Sequence, residues 1–239
     1  MNFQNDIKKI GELKATFRHN VVNHKKLYPK SSVILAISAG QEYHENEKLL
    51  ATINLINRVG FKKCTIMLGD TLQRHNIFLE KNTNMEEAHR DGRKLGDEWL
   101  QRNERFYKKL QIPYEIIRWD EWLSHRDYQK HRAKIDHLFE NNEEFRLGFL
   151  NSINQFIDRY KKHSHGSDDL FDHQKVFSLC LEYLKEECAI IMPLWAQHSY
   201  NFIIYPSSML DAMRVTFEKL VEPFHQNVLH WLSLRFKRK

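Results

Sequence analysis

A serine stands at the end of an apolar run in the first fifth of the chain. The run extends from Val33 to Ile37, Ser38 follows it, and Gly40 comes two residues later, before a stretch of good helix formers. This order predicts a strand, a tight turn and a helix, with the Ser38 hydroxyl at the carboxyl end of a buried strand. Ligands bind at that edge of an open α/β sheet, and a helix N-terminus favours a developing negative charge. Ser38 is therefore either a nucleophile or only a cap of the turn, and the local pattern leaves both open.

Two tyrosines and a glutamate are the other candidates for chemistry. Tyr183 and Glu187 are four residues apart, so on a helix they share one face, where a phenol and a carboxylate can hold a small ammonium group. The alternative is an ordinary half-buried tyrosine beside an exposed glutamate. Tyr205 precedes Pro206 at the end of a predicted strand. It lies either at the same carboxyl edge as Ser38 or simply where proline ends the strand.

The cysteines and histidines predict neither a disulfide framework nor a metal site. Cys64, Cys180 and Cys188 are odd in number and form no Cys-x-x-Cys pair. None of the 14 histidines stands in a His-Glu-x-x-His frame. His163 and His165 lie in a loop rich in Ser, Gly and Asp, where a solvated loop is favoured over a metal. We expect no metal and no cofactor.

The positive charge of the chain is concentrated at its two ends. The net charge is +6 over 239 residues, and such a balance attracts polyanions. Nucleic acid as a partner and a merely solvated basic surface are both open on charge alone. The basic residues of the two ends are Lys8, Lys9, Lys14, Arg18, Lys25, Lys26 and Lys30, and then Arg235, Lys237, Arg238 and Lys239.

Short apolar runs alternate with helical patterns along the chain. Strands are predicted over Val33–Ile37, Cys64–Leu68, Tyr114–Trp119 and Asn201–Tyr205. Helices are predicted over Glu45–Val59, Met85–Leu110, Asp127–Phe139, Glu143–Tyr160, Leu170–Glu187 and Val228–Arg235. This alternation predicts an α/β fold with a Rossmann-like, doubly wound and mostly parallel sheet flanked by helices.

The length of the chain fits one large domain or two small ones, and the lack of a true linker favours one domain over residues 1–239 with a basic N-terminal segment. No apolar stretch approaches the ~20 residues that cross a bilayer. The first six residues, Met-Asn-Phe-Gln-Asn-Asp, lack an apolar signal core. We therefore expect a soluble, cytoplasmic protein with no membrane partner, and we expect it to be a monomer.

The helix predicted from Met85 to Leu110 is amphipathic. Acidic residues share its charged half, so the face is either a nucleic-acid surface or a solvated face with ion pairs between successive turns. The basic residues of this half are Arg90, Arg93, Lys94, Arg102, Arg105, Lys108 and Lys109.

Four pieces of sequence, in order, resemble the tRNA-dependent cyclodipeptide synthases (CDPS). They are Ser38-Ala39-Gly40-Gln41-x-Tyr43, then Gly69-Asp70-Thr71-Leu72-Gln73-Arg74-His75-Asn76, then Tyr183 with Glu187, and finally Tyr205-Pro206. The second is similar to the Asp-Thr-Leu-Gln-Arg-His-Asn signature of the family and is the most specific of the four. The last resembles the branch that carries Tyr-Pro.

The family in turn resembles the catalytic domain of class I tyrosyl- and tryptophanyl-tRNA synthetases, but this chain has no His-Ile-Gly-His and no Lys-Met-Ser-Lys-Ser sequence. The resemblance therefore implies no use of ATP.

The resemblance implies a reaction between two aminoacyl-tRNAs. Ser38 would attack the ester of the first, Tyr183 and Glu187 would hold the ammonium group, and a second aminoacyl-tRNA would give a dipeptidyl-enzyme. Ring closure would release a cyclic dipeptide, with Tyr205 as a proton relay, because a phenol of pKa ~10 is a poor base alone. The basic helix would hold the first tRNA. The residues implied to bind substrate are Ile34, Ala36, Gly40, Gln41, Ile190, Ile191 and Ile203.

Two other functions compete with this one. A serine hydrolase of the α/β type needs Gly-x-Ser-x-Gly, and Ala36 takes the place of its first glycine. A non-catalytic RNA-binding protein with a degenerate synthetase-like fold would bind tRNA without a covalent intermediate.

Overall fold

The computed structural model describes residues 13–18, 25–81, 83–163, 172–224 and 229–238. Within these residues six strands form one sheet: β1 (Leu13–Phe17), β2 (Ser32–Ser38), β3 (Lys63–Gly69), β4 (Tyr114–Arg118), β5 (Phe202–Tyr205) and β6 (His230–Arg238). The α-helices are α1 (Asn46–Val59), α2 (Arg74–Lys81), α3 (Met85–Tyr107), α4 (Trp119–Leu123), α5 (Tyr128–Asn141), α6 (Glu143–His163), α7 (His173–Ala189), α8 (Trp195–Gln197) and α9 (Asp211–Leu220).

The sheet has the strand order β1-β6-β5-β2-β3-β4. All neighbouring strands are parallel except β1 and β6, which are antiparallel. From β2 the chain moves outward through β3 to β4, and later returns to β5 on the other side of β2. The order therefore reverses between β2 and β5, and the crevice at such a switch point is where open α/β sheets bind ligands. The predicted doubly wound, mostly parallel sheet is confirmed.

Two apolar layers cover the two faces of the sheet. One is built around α5, α6, α7 and α9 and contains Ile34 and Ala36 of β2. The other is built around α1 and α3 and contains the alternate residues Val33, Leu35 and Ile37. Successive residues of a strand point to opposite faces, so a nearly continuous apolar strand is what a sheet covered on both sides requires. Among the described residues no helix is long and apolar enough to span a membrane.

The predicted strands and most of the predicted helices are confirmed within a few residues, but the helix predicted at 228–235 is wrong. Residues 230–238 form β6, which pairs with both β5 and β1. Leu232 and Leu234 are buried while Arg235 and Lys237 are exposed, an alternation that suits a strand. The prediction also missed β1, α2, α4, α8 and α9. The described residues do not include 1–12, 19–24 and 239. They therefore leave out Lys8 and Lys9 of the basic N-terminal segment, and also His165 and the side chain of His163.

Candidate active site

Three hydroxyls form a chain at the switch point of the sheet. Ser38 is the last residue of β2, and Tyr205 is the last residue of the neighbouring β5. The Ser38 Oγ lies 3.1 Å from the Tyr205 hydroxyl, which in turn lies 3.1 Å from the Tyr43 hydroxyl. Burial raises the pKa of Tyr205 well above its usual range, and the neighbouring Tyr43 raises it further. Tyr205 is therefore a neutral phenol, which passes protons by giving one and taking another rather than as a phenolate base.

The backbone turn after Ser38 depends on glycine. Gly40 has a φ of 82°, a conformation that residues with a Cβ adopt only with strain. The Gln41 amide donates a hydrogen bond to the Ser38 carbonyl, which closes the turn. A Cβ on Gly40 would meet the Leu95 side chain of α3 at 3.2 Å. The predicted strand, turn and helix are thus present, with a short 3-10 turn at Glu42–His44 before α1.

Tyr183 and Glu187 lie side by side on α7, as their spacing predicts. The Tyr183 hydroxyl donates to Glu187 Oε1 at 3.4 Å, a long bond. The other carboxyl oxygen, Oε2, is buried and has no hydrogen-bond partner among the described residues. Burial raises the pKa of Glu187 to about 8. A half-buried carboxyl with one unpaired oxygen is suited to receive a cationic group or a proton.

Ion pairs hold the Asp70–Asn76 signature in place, and only some of its residues line a cavity. Asp70 follows β3 and is fully buried, and its carboxylate pairs with Arg118 at the end of β4 with an N–O distance of 2.5 Å. The Gly96 position of α3 packs so closely on this pair that a Cβ there would lie 2.5 Å from Asp70 Oδ2. The Thr71 hydroxyl donates to Asp120 at 2.6 Å. The first half of the signature therefore joins β3, β4 and α3.

The second half of the signature reaches α7. Arg74 pairs through two nitrogens with the buried Glu186, and the Trp119 indole donates to Glu186 at 2.7 Å. Burial alone would raise the pKa of Glu186, but the neighbouring His75 and Arg74 lower it to about 2. Glu186 precedes Glu187 in the helix. The signature thus fixes the helix that carries Tyr183 and Glu187.

A cavity of about 970 Å³ joins the two groups of side chains. Ser38 and Tyr205 line it, and so do Tyr183 and Glu187. Its size is at the upper end for small-molecule pockets. The candidate nucleophile and the candidate ammonium site therefore share one chamber.

The residues implied to bind substrate divide into two groups. Ala36, Gln41 and Ile191 line the cavity. Ile34, Ile190 and Ile203 are fully buried in the core layer and are not among the lining residues, because Ile34 and Ile203 stand deeper in their strands and Ile190 begins the π-helical turn after α7. Gly40 shapes the turn and does not line the cavity. Sequence reasoning missed Leu72, Leu79, Phe156 and Met213, which supply apolar lining from four separate elements.

Sequence reasoning also assigned no role to two buried histidines beside the tyrosines. The His44 ring lies 5.3 Å from the Tyr205 ring and 4.6 Å from the Tyr43 ring, centroid to centroid. Burial lowers the pKa of His44 to about 3, so its imidazole is neutral at physiological pH. The His75 ring lies 6.0 Å from that of Tyr183. Among the described residues the only side-chain hydrogen-bond partner of Ser38 is Tyr205, so no serine–histidine pair of the hydrolase type is formed.

The basic residues of α3 and its C-terminal turn are all exposed, as predicted. Several are already paired with carboxylates: Arg90 with Glu86, Arg93 with Asp120, Arg102 with Glu45 and Glu98, and Lys108 with Glu104. Arg105 instead lies over the Phe106 ring at 4.7 Å. For Lys94 and Lys109 no carboxylate partner occurs within the described part of the chain. The face therefore carries the ion pairs of a solvated surface, and the charges of Lys94 and Lys109 have no such pair within the described residues. Its role as a nucleic-acid surface stays a prediction.

The described residues contain no group of three or more His, Cys, Asp or Glu side chains arranged as metal ligands. Cys64, Cys180 and Cys188 are all buried and free. Burial raises the pKa of Cys64 and Cys180 to about 12. Their thiols therefore stay protonated and act as small apolar groups.

Neither the protein-family models nor the curated proteins include a match to this chain. Among solved structures it is similar to a CDPS from Fluoribacter dumoffii, with 42% sequence identity, a TM-score of 0.89, and coverage of 95% of this chain and 99% of that one. A cyclodipeptide synthase from Candidatus Glomeribacter gigasporarum, solved bound to Phe-tRNAPhe, shares the fold at 18% identity and a TM-score of 0.70, with 92% and 93% coverage. A Mycobacterium tuberculosis protein whose structure relates cyclodipeptide synthetases to type I tRNA synthetases shares it at 11% identity and a TM-score of 0.66, with 95% and 94% coverage.

Proposed function

The chain belongs to the cyclodipeptide synthase family, and from this premise we propose that it joins two aminoacyl groups into a cyclic dipeptide through covalent intermediates on Ser38. The observation that carries the proposal is the shared cavity, in which the Ser38–Tyr205 hydroxyl pair faces the same chamber as Tyr183 and Glu187. The substrates are two aminoacyl-tRNAs, and no ATP is consumed because the amino acids arrive as esters. Gln41 and the Tyr205-Pro206 pair favour the Tyr-Pro branch of the family.

In the first step Ser38 Oγ bonds to the carbonyl carbon of the first aminoacyl ester. The bond from that carbon to the tRNA oxygen breaks, and the tRNA leaves with a proton. This proton is the one that Ser38 Oγ gives up, and it ends on the departing tRNA oxygen. Forming an acyl-enzyme divides one condensation into easier steps.

In the second step Glu187 both holds and frees the amine. The ammonium of the bound aminoacyl group pairs with the unpaired Oε2 of Glu187, while Tyr183 stays on Oε1. An α-amino group has a pKa near 7.7–8.0 in water, close to the value of about 8 for Glu187. Proton transfer between groups of matched pKa is nearly balanced, so the carboxylate can take the proton and leave a neutral amine.

The neutral amine then attacks the ester carbon of a second aminoacyl-tRNA. A peptide bond forms, the second tRNA leaves with a proton, and a dipeptidyl group remains on Ser38. The free amine at the far end of this dipeptide attacks the Ser38 ester carbon. The new C–N bond closes the ring, the bond to Ser38 Oγ breaks, and the amine proton returns to Ser38 through Tyr205.

The experiment is mass spectrometry of the medium of a bacterial host that expresses the chain. We expect cyclic dipeptides that are absent from the empty-vector culture, and no such product from Ser38→Ala. Ser178→Ala is the matched control, because Ser178 is an exposed serine on α7 and does not line the cavity. Undiminished product from folded Ser38→Ala protein would refute the nucleophile. Purified protein incubated with a charged tRNA should also gain the mass of an aminoacyl group, and Ser38→Ala should not.

A further inference from the structure

The two basic ends of the sequence meet in one two-stranded ribbon. All five residues of β1 pair antiparallel with the last five residues of β6, from Leu13 opposite Arg238 to Phe17 opposite Leu234. We call this pair, residues 13–17 with residues 234–238, the basic ribbon. More than 200 residues separate its strands along the chain, so neither end by itself predicts the surface that they form.

The basic ribbon extends past the catalytic edge of the sheet. β6 runs parallel to β5, and Ser233 is the partner of Tyr205, the last residue of β5. The five further residues of β6 therefore project beyond the register of Tyr205 by about 16 Å, at about 3.3 Å per residue. Arg235, within this projection, is exposed and lines the cavity that Ser38 also lines.

One face of the basic ribbon is charged and lies on the catalytic side of the sheet. Side chains of paired residues on neighbouring strands share a face, and alternate residues along a strand do too. Ser233, Arg235 and Lys237 therefore share the face of Tyr205. On β1 the same face carries Thr16, opposite Arg235, and Lys14, opposite Lys237. The opposite face carries Ala15, Phe17, Leu234 and Phe236, which belong to the core layer around α1.

The charges on this face repel one another. Lys14 and Lys237 are directly opposite in the ladder, and like charges in that position destabilise a strand pair. Both are exposed, as is Arg235. Within the described ranges none of these three side chains pairs with a carboxylate, in contrast to Arg90, Arg102 and Lys108 on α3. A repulsive cationic cluster held in register by backbone hydrogen bonds is stabilised when a polyanion neutralises it.

We propose that the basic ribbon binds the phosphate backbone of the acceptor arm of an aminoacyl-tRNA as its ester enters the cavity. This rests on the proposed function, which requires two tRNA substrates. The ribbon forms the sheet edge opposite to β4. The α3 face lies near the β4 edge, where Arg93 of α3 pairs with Asp120 just after β4. The basic ribbon and the α3 face thus flank the catalytic crevice from two sides, so each is available to a separate tRNA. Because the ribbon projects only about 16 Å beyond Tyr205, it can contact only the tRNA phosphates near the acylated end.

The test measures binding apart from turnover. Labelled, uncharged tRNA is titrated with Ser38→Ala protein between 50 and 300 mM KCl, with and without Arg235→Ala and Lys237→Ala. We expect at least about tenfold weaker binding at low salt, and a log–log salt slope that is shallower by about 1.5, since each phosphate contact contributes about 0.7–0.9. Lys30→Ala with Lys62→Ala is the matched control. These two exposed lysines precede β2 and β3, at the sheet edge remote from Ser38, and the pair should leave affinity and slope unchanged.

A second variant separates binding from folding. Lys237→Glu removes the repulsion with Lys14, so it should raise the melting temperature while it weakens tRNA binding. A residue that only supported the fold would move both in the same direction. A minihelix of the acceptor arm should show the same dependence on Arg235 and Lys237 as the whole tRNA.

Unchanged tRNA affinity and salt slope in the Arg235→Ala, Lys237→Ala protein would overturn the proposal. So would loss of binding to phosphatidylserine vesicles with tRNA binding intact, which would make the ribbon a lipid-binding surface. These outcomes do not depend on catalysis. If the parent makes no cyclic dipeptide but binds tRNA through the ribbon, the proposed reaction fails and the docking surface stands.

Discussion

The hydroxyls of Ser38 and Tyr205 lie 3.1 Å apart although 167 residues separate them along the chain. They meet because β2 and β5 are parallel neighbours and each residue ends its strand. The Tyr205 ring also packs against Trp231 of β6, with centroids 5.6 Å apart. A substitution of Tyr205 by phenylalanine therefore removes the hydroxyl and keeps the packing of the ring.

Tyr205→Phe should slow ring closure and spare the first acylation. The phenyl ring keeps its contacts, so the fold survives, and only the path that returns the amine proton to Ser38 during ring closure is lost. Intact-protein mass spectrometry should show an aminoacyl or dipeptidyl adduct on Ser38 that outlives the adduct of the parent. Tyr114→Phe is the control, because Tyr114 is a half-buried tyrosine of β4 outside the cavity. Release of cyclic dipeptide at the parental rate would make Tyr205 a structural strand end.

Glu187→Gln should lower the yield of cyclic dipeptide at least ~10-fold at limiting substrate. The change keeps the shape of the side chain but removes the charge that, in the proposed reaction, pairs with an ammonium. A hydrogen bond to a charged group contributes ~1.5–3 kcal/mol, and ~1.4 kcal/mol corresponds to a factor of ten. The comparison is Glu222→Gln, an exposed glutamate far along the chain. Equal product from the Glu187→Gln and Glu222→Gln proteins would exclude Glu187 as the ammonium partner.

The same substitution should change how stability depends on pH. Burial raises the pKa of Glu187 from its ordinary 4.5 to about 8. Between these values the folded protein holds one more proton than the unfolded chain, so this group makes stability fall as pH rises through the window. Glu187→Gln removes that fall. Its stability relative to the parent should increase by up to about 1.4 kcal/mol per pH unit.

Urea denaturation at pH 5.5, 6.5 and 7.5 measures this difference. Within that range Glu186, whose pKa is lowered to about 2, stays ionised in both states and does not interfere. Parallel stability profiles for the parent and Glu187→Gln would show that Glu187 is not protonated in the folded protein.

Gly96→Ala should destabilise the protein, although alanine favours helices. A Cβ at Gly96 would lie 2.5 Å from Asp70 Oδ2 and 2.7 Å from Arg118 Nη2, inside a buried ion pair. Overpacking of this kind costs about 1–3 kcal/mol, or several degrees in melting temperature for a chain of this size. Gln101→Ala, exposed on the same helix, should be neutral or slightly stabilising. A melting temperature for Gly96→Ala at or above that of Gln101→Ala would contradict the close packing.

Replacement of Arg102, Arg105 and Lys109 with alanine should weaken tRNA binding. The slope of log affinity against log salt should become shallower by up to ~0.7–0.9 per lost phosphate contact. Arg102 already pairs with Glu45 and Glu98. The single variant Lys109→Ala should therefore weaken tRNA binding more than the single variant Arg102→Ala. If the triple variant matches the Lys30→Ala, Lys62→Ala protein in affinity and slope, the α3 face is only solvated.

The sequence by itself determined the layered α/β architecture. Val33–Ile37 and Cys64–Leu68 are continuous apolar runs, and only a sheet covered on both faces can bury every residue of such a run. The amphipathic pattern from Met85 onward likewise determined a surface helix. The spacing of Tyr183 and Glu187 placed them on one helical face, because a helix repeats every 3.6 residues. These features depend on local periodicity, which a single chain displays directly.

Only the tertiary structure decided which distant residues meet. Residues 228–235 suggested a helix, yet pairing with β1 and β5 makes 230–238 a strand, because partners on both sides satisfy its backbone. The Asp70–Asn76 signature carried the family resemblance without a role for its residues, and the structure shows that Asp70 and Arg74 anchor Arg118 and Glu186. The 3.1 Å approach of Ser38 to Tyr205 and the pairing of Lys14 with Lys237 likewise follow from strand order. Strand order is set by how the whole core packs, and no local pattern encodes it.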